Sequence, residues 1–388
     1  LVPAVFDYVF TGKNKAAAEK AVPVKQLDAL RAEFLYWYPA DFYNSADELV
    51  YNHLTFLLFH HAALFPEAQW PRRIAVNGMV NVEGQKMSKS KGNFITLHDA
   101  IARFGADLSR LGLLTAAEGL AQPNWSEAHA RSLQGWLLAL EEWSALKPAK
   151  SNPADAWRRS RLAKHIAAAA EAYAQSRYRS ALQSCLFDLS NDVKWYLRRG
   201  PPGPALAEAL DAAIAMLYPV TPHFSSELAE QRKLALRWPA AGRSDPTAEL
   251  AESEIRQTVE DVRSVLKLVG SEPKRITLFA ASAWKYAVYH EILSATKAGK
   301  KLAIGEFMKR SEVRQHGSHA AKFIERLQRM AATLGDALQP AEEFAALTAA
   351  APFFEKEFGC KVEVVRAEDA QSEKALRAEP GRPGIEVR

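Results

Sequence analysis

Residues 86–90 read Lys86-Met87-Ser88-Lys89-Ser90, and the run continues as Lys91-Gly92-Asn93. Lys86 and Lys89 stand three apart on a segment flanked by Gly84 and Gly92. Ammonium groups so placed can meet on one polyphosphate. Attack at the α-phosphate of a nucleotide expels pyrophosphate, and negative charge builds on that leaving group. Mobile cations that close on it stabilise the transition state more than the ground state. Ser88 and Ser90 are short enough to bend a loop and carry hydroxyls for phosphate oxygens. The two glycines permit backbone geometry that other residues resist. An ordinary solvated lysine turn is the competing reading, and the hairpin signal just before the run argues against it.

The elements that must position this loop follow from pattern. Residues 34–43 are aromatic and apolar, which predicts a strand ending in a turn. Asn44-Ser45-Ala46-Asp47 supplies helix-starting side chains. The apolar run 49–65 predicts a buried helix closed by Pro66. A strand followed by a helix at a polar turn is half of a nucleotide-binding α/β unit. Ile74-Ala75-Val76 and Met79-Val80-Asn81-Val82 flank Asn77-Gly78, which predicts a hairpin there. A helix begins near Leu97, with a stop and restart at Phe104-Gly105-Ala106-Asp107, and Pro123-Asn124-Trp125-Ser126 marks a boundary. Long Ala/Leu-rich segments over 126–237, broken at 147–153 and 200–203, predict an antiparallel helix bundle. Residues 240–246 suit a linker. Beyond it, helices over 254–269 and 283–298 and strands over 275–279, 361–366 and 384–388 predict a small α/β terminal domain. The fold class expected is therefore α/β followed by mostly α.

Hydrophobic residues make up 48% and charged residues 24%, so the chain has ample material for cores. Cys185 and Cys360 lie far apart without metal-ligand spacing, which favours a reducing, cytoplasmic setting. No apolar stretch reaches the length of a membrane span. Leu1-Val2-Pro3 has neither an initiator Met nor the order of a signal peptide, so the expectation is a start inside a longer polypeptide. Net charge is only +5, but residues 157–199 carry nine Lys/Arg against three Asp/Glu, and 284–326 carry nine against four. Such stretches suit phosphate backbones, and equally suit solvated helix faces.

The five-residue run resembles the second signature of class I aminoacyl-tRNA synthetases. Around it, Tyr51-Asn52-His53-Leu54-Thr55-Phe56-Leu57-Leu58-Phe59-His60-His61-Ala62-Ala63-Leu64-Phe65-Pro66 and Val76-Asn77-Gly78-Met79-Val80-Asn81-Val82-Glu83-Gly84-Gln85 are similar to leucyl-tRNA synthetases of the archaeal and eukaryotic type. The likeness continues through Gly105-Ala106-Asp107, Ala116-Ala117-Glu118-Gly119-Leu120 and Asn124-Trp125. Leu217-Tyr218-Pro219-Val220-Thr221-Pro222-His223-Phe224-Ser225-Ser226-Glu227-Leu228 resembles the end of the helical domain in the Leu/Ile/Val/Met subgroup. Ala283-Trp284-Lys285-Tyr286-Ala287-Val288-Tyr289 resembles the extra C-terminal domain of the archaeal type.

The resemblance implies the C-terminal half of a Rossmann-type catalytic domain over 1–96 and a stem-contact connection over 97–125. It implies a helical tRNA-binding domain over 126–240 and an α/β tRNA-binding domain over 250–388. It implies that Lys86 and Lys89 contact the phosphates of ATP, which arrives with Mg²⁺, and that Met87, Ser88 and Ser90 lie beside them. Met79 and Val80 would offer backbone groups to adenine. Ser45-Ala46-Asp47-Glu48-Leu49 stands where the family has Ser-Gly-x-Asp-Leu, so Ala46 replaces a Gly and Glu48 replaces an Asp near the ribose. His53 would face the nucleotide or serve as a core histidine, while His60 and His61 read as packing.

For tRNA-Leu and its long variable arm, the candidates are Lys297, Lys300, Lys301, Lys309 and Arg310, with Arg198 and Arg199 in the helical domain. Trp195 and Tyr196 would stack on a base or fill a helix core. No His-x-Gly-His occurs in the sequence. In the family that signature, the leucine pocket and the editing domain lie upstream. The expectation is a fragment inactive alone, completed by an N-terminal half in cis or as a separate subunit. The alternatives are an isoleucyl, valyl or methionyl relative, or a tRNA-binding module without catalysis.

Overall fold

The structure is a computed structural model that describes residues 2–88, 90, 92–270, 272–300 and 302–388. Among them the main helices are, in chain order, α1 (Val24–Trp37), α2 (Thr55–Leu64), α3 (Leu97–Ala116), α4 (Glu127–Ser144), α5 (Asp155–Ala174) and α6 (Leu189–Arg199). They continue with α7 (Pro204–Leu217), α8 (Pro222–Arg232), α9 (Pro246–Val269), α10 (Ala283–Lys297), α11 (Gly317–Arg329) and α12 (Pro340–Phe358). The strands are β1 (Tyr43–Ala46), β2 (Ile74–Asn77), β3 (Asn81–Val82), β4 (Gln85–Lys86), β5 (Asn124–Trp125), β6 (Arg275–Ala280), β7 (Lys361–Arg366) and β8 (Gly384–Val387). No helix among the described residues is long and apolar enough to cross a membrane.

Contacts divide the chain into two compact units. One holds Leu1–Ala139, Ala169–Gln183 and Leu217–Glu227, and the other holds Leu140–Ala168, Ser184–Met216 and Leu228–Arg388. The division runs through α4, α5, α7 and α8 rather than between them.

In the first unit, α1 buries Leu27 and Phe34 with Val5, Tyr8, Val9 and Ala18. Leu27 and Phe34 are seven apart, two helical turns along one stripe, and that periodicity overrides the strand preference of the aromatic run. Residues 34–37 are therefore helix, and the extended segment lies later, at β1. β1 and β2 pair in parallel from Tyr43↔Ile74 to Ala46↔Asn77. The helical connection between them starts at Asp47 and includes α2. It is helical as the apolar run predicts, but it is not buried: Tyr51 is 89% and Phe59 70% exposed. Over 50–64 the buried residues are Leu54 and His61. His61 stacks on Tyr38 with ring centroids 5.8 Å apart, whereas His60 is exposed rather than packed.

The predicted hairpin is displaced. β2 pairs with β1, not with β3, so Asn77-Gly78 turns no hairpin. Gly78 serves close approach instead, because a Cβ there would lie 2.7 Å from the Ala121 carbonyl oxygen. The hairpin sits one step later: β3 pairs antiparallel with β4, Asn81↔Lys86 and Val82↔Gln85. α3 changes direction at Gly105 (φ 79°), as its stop-and-restart pattern predicts.

In the second unit, β6 runs parallel to β7 on one side and antiparallel to β8 on the other. α9 and α12 cover this sheet. Ile255, Val259 and Val262 of α9 join Leu347, Ala350, Phe353 and Phe354 of α12 and Ile276 and Leu278 of β6 in one core. α10 and α11 close a second core around Trp284, Val288, Phe323 and Ile324.

Candidate functional site

The loop after β4 stands on a fixed hairpin. Glu83 (φ 47°) and Gly84 (φ 77°) make its two-residue turn, and two positive φ angles are what a type I′ turn requires. The turn is tied to the segment around β5. Glu83 N–H donates to the Trp125 carbonyl at 2.9 Å, and Gly84 N–H to Asn124 Oδ1 at 2.6 Å. The Glu83 carboxylate in turn accepts from Glu127 N–H at 3.0 Å, at the start of α4. Such a site has little freedom at its base.

The loop itself folds back on Asn93. Asn93 Oδ1 accepts from Ser88 N–H at 2.8 Å, and Asn93 Nδ2 donates to the Lys86 carbonyl at 3.1 Å. The Ser88 and Ser90 hydroxyls lie 2.8 Å apart. Met87 and Ile95 pack into one apolar cluster with Val82, Trp125 and Ala130. Lys86 Nζ reaches Glu48 Oε1 at 3.2 Å, and both side chains are exposed. Lys86, Met87, Ser88, Ser90 and Glu48 are thus brought together. Lys89 lies outside the described residues.

Met79 and Val80 are irregular backbone between β2 and β3. Among the described residues their N–H and C=O groups make no backbone hydrogen bond outside the helices and strand ladders. Val80 also lines a cavity of about 340 Å³ with Asn44, Asn77, Leu113 and Glu118. His53 is exposed with its ring 6.3 Å from that of Tyr43, so the core-histidine reading fails. Asn93, Asn124 and Glu83 were not among the expected site residues. The available signal was chemical: Asn offers a donor and an acceptor on one short side chain, suited to clamping backbone.

The basic candidates separate sharply. Arg199 is a correction: its side chain is 3% exposed and pairs with Glu252 at 2.7 Å, so it presents nothing to a tRNA. Arg198 is engaged by both oxygens of Glu357 and lies 5.0 Å over the Trp195 ring. Tyr196 is buried and Trp195 donates to Glu252 at 2.6 Å, so these aromatics are packed rather than free to stack. Lys297 pairs with Asp336 and Arg310 with Glu291 at the surface. Lys300 and Lys309 are exposed, and Lys301 lies outside the described residues. Lys300 lines a cavity of about 590 Å³ with Thr296, Leu302, Gln328 and Arg329.

Comparison with known proteins adds independent findings. Residues 2–126 match the family described as tRNA synthetases class I (I, L, M and V). Residues 155–278 match the anticodon-binding domain of tRNA ligase. The chain is 35% identical to the leucine--tRNA ligase of Methanothrix thermoacetophila, over 100% of this chain and 43% of that protein. It is 34% identical to that of Archaeoglobus fulgidus, over 100% and 42%, and 35% identical to that of Aeropyrum pernix, over 99% and 42%. A solved ternary complex of Agrobacterium radiobacter K84 agnB2 LeuRS, tRNA and LeuAMS is similar over 53% of this chain and 29% of that one, with a TM-score of 0.44 and 22% identity. The chain thus spans less than half the length of the curated relatives it matches. It is a relative of the archaeal leucine--tRNA ligases along its whole length, carrying a class I tRNA synthetase domain followed by the anticodon-binding domain of tRNA ligases.

Proposed function

We propose that this chain supplies one side of the active site, and the tRNA-holding part, of a leucine--tRNA ligase. Leucine's carboxylate oxygen attacks the α-phosphorus of ATP, and the bond to pyrophosphate breaks with its electron pair leaving on pyrophosphate. A terminal ribose hydroxyl of tRNA-Leu then attacks the leucyl carbonyl carbon, the ester forms, and the anhydride bond breaks with AMP leaving. The observation that carries this reading is the doubly basic loop 86–93, standing on an anchored hairpin between Gly84 and Gly92. Lys86 and Lys89 stabilise the charge that grows on the departing pyrophosphate, a task shared with the magnesium ion of ATP. Ser88, Ser90 and Met87 shape that contact. The backbone groups of Met79 and Val80 receive adenine, Glu48 accepts from the ribose, and His53 faces the nucleotide. Because Glu48 also holds Lys86, nucleotide entry exchanges that ion pair for contacts to ATP.

Residues 1–96 then form part of the catalytic domain, and 97–125 form the connection to the tRNA stem. Residues 126–240 and 250–388 form the tRNA-binding domains. The match to an anticodon-binding domain supports the third assignment. Lys297, Lys300, Lys301, Lys309 and Arg310 meet the variable arm. The leucine pocket belongs to a portion outside this chain, in cis or as a separate subunit. Two observations support this: the relatives are more than twice as long, and the exposed apolar faces of Tyr51, Phe56 and Phe59 suit a protein partner.

The test is leucine-dependent ATP–pyrophosphate exchange. The chain purified free of host enzyme gives none, and the chain joined to, or mixed with, the portion encoded immediately upstream gives exchange. Exchange by the chain alone, or none by the combination, contradicts the proposal.

A further inference from the structure

We propose that Glu254 and Glu343 share one proton, and that this proton fastens the C-terminal segment 373–382 to the core of the second unit, so that the segment loosens as pH rises. Glu254 stands on α9 and Glu343 on α12, and their exposures are 6% and 0%. The two carboxyls face each other, and Oε1 of each lacks a hydrogen-bond donor. Among the described residues no cationic side chain bonds to either. The Tyr286 hydroxyl, from α10, is buried beside Glu343. Burial and mutual repulsion both act against a second negative charge in such a place. One proton between the carboxyls removes that charge and supplies the missing donor. Burial first, and the Glu343 charge second, push the Glu254 carboxyl up to about 10, and burial raises Glu343 as well.

The pair is tied to the segment through backbone. Glu343 Oε2 accepts from Gly381 N–H at 2.7 Å. Pro380 and Gly381 are the centre of a turn, with Gly381 at φ 75°. Glu379 and Arg382 close it, each N–H donating to the other's carbonyl at 2.9 and 2.8 Å. Gly381 and Glu254 line one cavity of about 200 Å³. Just upstream, Ala375 and Ala378 pack with Tyr286 and Phe279. When the segment lifts, water reaches the pair and the shared proton passes to solvent. The stabilisation is fully present below the ordinary carboxyl value of 4.5 and is lost progressively as pH rises toward about 10. One proton released on opening makes the opening constant about tenfold larger per pH unit. The other charges near the segment behave differently. Arg326 pairs with Glu379, Arg382 with Asp261, and Asp336 with Lys297. Lys285 donates to the Leu376 and Ala378 carbonyls. Burial, then Arg326, lowers its ammonium to about 8, so it resists opening, and only above that pH. Burial, then Lys285, holds His316 and His319 below 6.5, so they titrate only under that value.

Trypsin cleavage of the whole chain after Lys374 and Arg377 tests this between pH 6.5 and 8, where neither the histidines nor Lys285 shifts the balance. Ala375 and Ala378 follow those bonds and are buried, so cleavage requires opening. Rates are taken relative to an unstructured peptide carrying the same sites. For wild type the ratio is expected to rise about 30-fold across the window. Glu254→Gln keeps a donor toward Glu343 and cannot ionise. It is expected to hold the rise below about twofold and to be cleaved more slowly than wild type at the upper end. The double variant Glu254→Gln with Glu343→Gln leaves nothing there to titrate and is expected to be as flat. Circular dichroism at the lower end of the window checks that each variant is folded. A wild-type ratio that stays constant with pH overturns the proposal, and so does a rise that either folded variant keeps.

Discussion

The two basic stretches read alike in sequence and differ in the fold, the first giving more of its cations to burial or to ion pairs within the fold. In 157–199 two cations, Arg158 and Arg199, are buried, and others pair with acids of the fold while staying exposed. Arg158 is fully buried, and Arg161 and His165 both bond to Asp192, at 2.8 and 2.9 Å. Arg199 meets Glu252, Lys164 meets Glu249 and Arg159 meets Glu208. Two of these acids, Glu249 and Glu252, lie on α9, as does Arg256, whose guanidinium sits 4.6 Å from the Trp157 ring and 4.7 Å from the Trp195 ring. This stretch is a charge-lined seam between α5, α6 and α9. In 284–326, Lys285 is also consumed. Burial pushes its ammonium down to about 8, and it donates to the Leu376 and Ala378 carbonyls. But Lys300 and Lys309 remain at the surface. A count of positive charges locates a phosphate-binding face only after burial has removed the cations that serve the fold.

The sharpest break of this comparison is Arg199→Ala. It leaves Glu252 buried without its ion-pair partner and is expected to destabilise the second unit by about 3–5 kcal/mol, read by chemical denaturation. A change below about 0.5 kcal/mol would place Arg199 with the surface cations. Next comes acid. Burial works against the charged form of Asp192, but hydrogen bonds from His165 and Arg161 overcome it and hold the carboxyl at about 2, below its ordinary 3.8. Its contribution, on the order of 2 kcal/mol, is fully present above pH 3.8 and lost as pH falls through about 2. Asp192→Asn is expected to flatten that part of the stability–pH curve; an unaltered curve would mean the seam is not electrostatically coupled. The smallest effect is on binding. Lys300→Glu with Lys309→Glu is expected to lower tRNA affinity about tenfold at moderate salt, with stability unchanged. Filter binding with tRNAs of long and short variable arm reads it, and equal affinity for wild type and variant removes the phosphate role from this stretch.

Much of this was legible in the sequence, for reasons that differ by residue. The turn of the backbone around Lys86 was legible because two glycines, both at positive φ, flank it. The kink at Gly105 and the β6, β7 and β8 strands were legible from glycine punctuation and apolar alternation. The hairpin was misplaced because Asn77-Gly78 and Glu83-Gly84 are both turn dipeptides. What decides between them is tertiary: β1 takes β2 as its partner, and Gly78 is needed where the 120–121 backbone comes close. The exposure of α2 was not legible, since an apolar helix reads as buried whether or not its covering partner is present. Nor was the fate of Arg199, which depends on Glu252, a residue 53 positions away. Asn93 went unnoticed beside the lysines because its role is held in two backbone bonds rather than in its charge.

The loop 86–93 is proposed to act on the phosphates of ATP. The most direct test of that role is Lys89→Ala, measured by leucine-dependent ATP–pyrophosphate exchange in the combination with the upstream portion. A fall in kcat of about 100-fold or more is expected, the scale of removing one preorganised charge stabiliser, with tRNA affinity and KM for leucine unchanged. Exchange at the wild-type rate would contradict that role.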